Sequence, residues 1–90
     1  MSPNFKQHEE LLRGRLSKLK PTELKIFNES HLHKGHNAYN NGLSHFRIFI
    51  ASPVFAGLSR VEQQRVVLDA VKDIIPNPIH ALAIKTEVSI

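Results

Sequence analysis

The stretch from His45 to Thr86 constrains the fold most, because it reads as strand, capped helix, strand. In His45-Phe46-Arg47-Ile48-Phe49-Ile50-Ala51, the residues Phe46, Ile48 and Ile50 share one face, while His45, Arg47 and Phe49 share the other. Pro53 ends that segment. Ser59-Arg60-Val61-Glu62 is a capping box, in which the serine and the glutamate each satisfy an amide that a helix start leaves free. The helix it opens is expected to run to about Ile75, with Val67, Ala70, Val71 and Ile74 as its apolar stripe. Pro76-Asn77-Pro78 breaks it. The aliphatic run from Ile79 to Thr86 is then a final strand. Such a crossover makes its two strands parallel, and its hand is nearly always right-handed.

Upstream, Leu12, Leu16 and Leu19 repeat at i, i+4 and i+7, which predicts a helix over roughly residues 4–19, closed by Pro21. Leu24-Lys25-Ile26-Phe27-Asn28 alternates as a first strand. The order is therefore α-β-β-α-β: an α+β fold with a three-stranded mixed sheet and the helices packed on one face. The 90 residues allow one small domain. No apolar run approaches the roughly 20 residues of a membrane span, so no membrane association is expected. No secretory or long arginine-rich leader is visible. The expected location is the cytoplasm, or an organelle matrix if a targeting segment has been removed.

Residues 29–44 form a polar stretch with Gly35, Gly42 and three asparagines, too long for a simple hairpin turn. A loop of this length is expected to be mobile or functional. It contains His31, His33 and His36; His45 opens the second strand and His80 lies near the start of the third. Parallel strands begin at one edge of a sheet, so the topology gathers the loop histidines, His45 and His80 along one rim. The chain has no cysteine. Imidazole is the commonest protein ligand for borderline metals, so the rim is a candidate part of a metal site whose softer ligands come from elsewhere. Structural roles compete with this reading. His80 shares strand parity with Leu82 and Ile84 and could sit at the core edge, bonded to a backbone carbonyl. His45 could staple the loop or act as an auxiliary ligand.

The formal charge of +4 is uneven. Residues 1–47 hold eight Lys/Arg against four acids, and residues 48–90 hold four against four. Arg47, Arg60, Arg65 and Lys72 are candidate nucleic-acid contacts, against the alternative that they are solvated surface charges. No serine or cysteine nucleophile constellation appears, acids are not paired near the histidines, and no HExxH spacing exists, so no catalytic activity is expected.

Four blocks together resemble the BolA-like proteins: Ser30-His31-Leu32-His33-Lys34-Gly35-His36, Ser44-His45-Phe46-Arg47-Ile48, Phe55-Ala56-Gly57-Leu58-Ser59 and Ile79-His80-Ala81-Leu82-Ala83. The resemblance spans about residues 8–86. It implies an α-β-β-α-β domain related to the type II KH fold, although the GxxG loop that typical KH domains use to clamp nucleic acid is absent. It further implies a heterodimer with a monothiol glutaredoxin, sharing a [2Fe-2S] cluster. The partner would supply its cysteine and a bound glutathione thiolate. This chain would supply His80 and one loop ligand, His33 or, as the alternative, His36. No cluster is expected on the isolated chain, which would be a monomer or weak dimer. Replacing thiolates by imidazoles on one iron suits a labile cluster used in trafficking or iron sensing. Some BolA-like proteins are described as DNA-binding transcriptional regulators. Where the family often has Arg-His-Arg in the second helix, this chain has Gln63-Gln64-Arg65, which weakens the electrostatic attraction to DNA.

Overall fold

The computed structural model describes residues 5–29, 44–76 and 78–89. Helix α1 (Phe5–Leu16) passes into a 3-10 turn, Ser17–Leu19, and then into strand β1 (Glu23–Asn28). Strand β2 (Ser44–Ser52) leads through a second 3-10 turn, Pro53–Phe55, to helix α2 (Arg60–Val71) and strand β3 (Ile79–Val88). The sheet order is β1-β2-β3. Strand β1 pairs antiparallel with β2, and β3 runs parallel to β2, as the crossover through α2 requires.

Local chemistry explains where α2 begins. Gly57 adopts φ 79°, a left-handed conformation that side chains resist, and turns the chain out of the 3-10 segment. The Ser59 hydroxyl then accepts from the Glu62 amide at 3.2 Å, and the Glu62 carboxylate accepts from the Ser59 amide at 2.9 Å. Those bonds from Ser59 hold the Glu62 carboxyl below the usual range. The helix ends at Val71, four residues before the expected stop at Ile75; turns fill the gap, and Ile74 is nonetheless buried.

Both helices cover one face of the sheet. Leu12 and Leu16 of α1, Val67 and Val71 of α2, and Phe46, Ile48 and Ile50 of β2 form one buried cluster, with Leu24, Ile26, Leu82 and Ile84 packed against it. The alternation expected of β2 is realised: Arg47 is exposed between fully buried neighbours. Ser52, a fully buried hydroxyl, donates to the Leu19 carbonyl at 2.6 Å and accepts from the Val54 amide at 3.2 Å. It ties the end of α1's extension to the end of β2. Across the helix layer, the Arg15 guanidinium grips the Asp73 carboxylate at 2.9 and 3.1 Å and holds its carboxyl below the usual range.

Candidate functional site

The rim at which β2 and β3 begin is built by an irregularity in their register. Ser44 faces Ile79, but His45 faces Ala81, so His80 is an extra residue on β3. An extra residue of this kind bends its strand and re-aims a side chain. Its consequence is visible on both sides. Ile79 is fully buried, and Leu82, three residues on, also packs on the core. Plain alternation could not put both on one face. His80, between them, is exposed. The core-edge position suggested by its parity with Leu82 and Ile84 is not realised, because the bulge resets the parity at that residue.

His45 is half-buried and lies next to His80: their ring centroids are 5.1 Å apart, with the planes tilted by 57°. Two imidazoles from strand positions 35 residues apart in sequence thus meet at one edge. The same edge receives both described ends, Glu29 and Ser44, of the segment that carries His31, His33 and His36. The Glu29 amide donates to the His45 carbonyl at 2.8 Å, and the Glu29 carboxylate pairs with Arg47 at 3.1 Å. Ser44, where the chain returns, stands opposite Ile79. His31, His33 and His36 lie outside the described residues. Among the described residues no three His, Asp or Glu side chains come together as a metal site. The described part of the rim therefore offers a pair of imidazoles, a donor set that fits a metal centre only if other ligands complete it.

The four cations considered for nucleic acid do not form one surface. Arg47 projects from the sheet face opposite the helices, where it is paired with Glu29. Arg60, Arg65 and Lys72 lie on or at the end of α2, in the helix layer. The two glutamines in place of Arg-His have taken structural work that sequence patterns did not reveal. Gln63 donates to the Leu58 carbonyl at 3.0 Å and accepts from the Thr86 hydroxyl. Gln64 donates to the Ile84 carbonyl at 3.4 Å. Gln63 ties the capping-box end of α2 to the preceding turn and to β3, and Gln64 ties it to β3. No helix among the described residues is long and apolar enough to cross a membrane.

Comparison with known proteins bears on this arrangement. The family model for BolA-like proteins matches residues 16–89. A DNA-binding transcriptional regulator BolA of Vibrio cholerae is 38% identical over 79 residues, which cover 87% of this chain and 72% of that protein. The SufE-like protein 1 of Arabidopsis thaliana, chloroplastic/mitochondrial, is 35% identical over 79 residues, or 81% of this chain but 21% of the relative. Among solved structures, the BolA domain of Arabidopsis SufE1 superposes with a TM-score of 0.73 at 35% identity, covering 86% of each chain. With the family match extending over most of its length and the same α+β architecture in solved relatives, this chain belongs to the BolA-like family.

Proposed function

We propose that this chain is a non-catalytic partner of a monothiol glutaredoxin and shares a [2Fe-2S] cluster with it, in cluster assembly, trafficking or iron sensing. The observation that carries the reading is the exposed, bulge-displaced His80 with the His45 ring against it. A histidine needed only for packing would follow the strand's alternation into the core. This one is held out of the ladder, at the edge where the segment bearing His33 and His36 starts and ends. His80 and one of those two histidines would bind the iron on this side, with His45 fixing the orientation of His80. Glutaredoxin cysteine and glutathione would supply the thiolates that a cysteine-free chain lacks. The cluster itself is the cargo and, when bound, the one-electron redox centre.

Anaerobic reconstitution with a monothiol glutaredoxin and glutathione, read by visible circular dichroism, tests this. The wild-type pair should give a spectrum distinct from that of glutaredoxin alone, His80→Ala should abolish it, and only one of His33→Ala and His36→Ala should do the same. An unchanged spectrum for His80→Ala sinks the proposal.

A second reading, DNA binding, is favoured by the name of the Vibrio relative and by the three cations on or beside α2. It predicts affinity that falls steeply between low and physiological salt, with sequence preference retained.

A further inference from the structure

The exposed side of α2 separates its charges. At 3.6 residues per turn, Val61, Arg65, Leu68 and Lys72 follow one another at i, i+4, i+7 and i+11 along one stripe, with Arg60 and Gln64 on its flank. The acids fall on the other flank and are engaged there. Glu62 closes the cap with Ser59, and Asp73 is gripped by Arg15. Asp69 meets Lys72 at 3.2 Å, but both side chains of that pair are 75% exposed, so a competing carboxylate can displace it at little cost. Arg60 and Arg65 form no ion pair among the described residues.

Between these cations lie two apolar side chains that the core does not use. Val61 is 61% exposed and Leu68 44% exposed. A depression of about 430 Å³ lies between them, lined also by Arg60, Gln64 and Arg65. A phosphodiester backbone would satisfy the cations but would leave both apolar groups against polar oxygens. Two branched aliphatic groups one heptad apart, roughly 10 Å along the axis, with Arg60, Arg65 and Lys72 beside them, are instead the complement of an amphipathic helix. Its aliphatic residues would repeat at the same spacing and its flanks would be acidic.

We propose that this stripe docks an acidic amphipathic helix of a partner protein, seating its apolar residues on Val61 and Leu68 and its carboxylates against Arg60, Arg65 and Lys72. The stripe shares no residue with the histidine rim, so the proposal is tested independently of cluster sharing.

The test is a nitrogen-15 NMR titration of the full chain with a synthetic helical peptide carrying two leucines seven residues apart, flanked by glutamates. The controls are the same peptide with lysines for glutamates and a short duplex DNA. Amide shifts should concentrate on Val61, Arg65, Leu68 and Lys72 with the acidic peptide and be absent with the lysine version. Leu68→Ser and Arg65→Glu, both at exposed positions and checked for an unchanged melting profile, should each weaken binding about tenfold. Equal response to both peptides, no response to either, or unchanged affinity in Leu68→Ser overturns the proposal. DNA shifting the same residues at physiological salt while the acidic peptide does not would assign the stripe to nucleic acid and overturn it as well.

Discussion

On the helix-covered side of the sheet, Phe46, Ile48 and Ile50 of β2 are almost completely withdrawn from water. One residue before Phe46, at the rim, His45 is half-buried beside an exposed His80. The two regions share a strand but follow different rules. The covered face keeps strict alternation, and each large aliphatic side chain it buries contributes on the order of 1.5–3 kcal/mol. The rim gives up alternation through one extra residue, which forfeits regular ladder pairing and yields a displaced imidazole. Stability is concentrated where the period is kept, and chemistry is available where it is broken.

Substitutions can test that division, taken from the largest expected effect on stability to the smallest. Ile48→Ala removes the centre of the covered face and should destabilise by about 2–5 kcal/mol in urea denaturation. A value near zero would mean that the helices do not depend on this face. Ser52→Ala leaves the Leu19 carbonyl and the Val54 amide without their partner and should cost about 1–3 kcal/mol by the same measurement.

Asp73→Asn should act mainly through pH. Its carboxyl is lowered first by hydrogen bonding to Arg15, so the stabilisation from that pair is present above the ordinary aspartate pKa and disappears as pH falls through the lowered folded value. Wild type should therefore lose stability in that acid window, and the asparagine variant should lose less. Parallel slopes would remove the pair from the stability account.

His80→Ala should be the mildest of the series, within about 0.5 kcal/mol of wild type, because the ring is exposed and outside the core. The same variant should have the largest effect on cluster assembly with glutaredoxin. A His80→Ala protein as unstable as Ile48→Ala would erase the distinction between rim and core.

Local signals in the chain determined the order of elements. The alternation of β2, the Ser59–Glu62 cap and the prolines at 53, 76 and 78 each act within a few residues, so each could be read without knowing what it packs against. Parallel pairing of β2 and β3 followed from the crossover, and it placed His45 and His80 at one edge. Two features were decided only in three dimensions. The register slip at His80 depends on how β3 meets a strand about 35 positions earlier in the sequence, and local periodicity contains no record of that pairing. Gln63 and Gln64 look like lost charges in sequence, yet they bridge α2 to β3, because long amide side chains find carbonyl and hydroxyl partners only after the helix docks. By contrast, the split along α2 followed from helical periodicity: Val67, Val71 and Ile74 lie on the stripe read from the sequence and are buried, while Val61 and Leu68 lie off it and are exposed. Side-chain pattern fixes what an element is; contact between distant elements fixes which of its residues remain available.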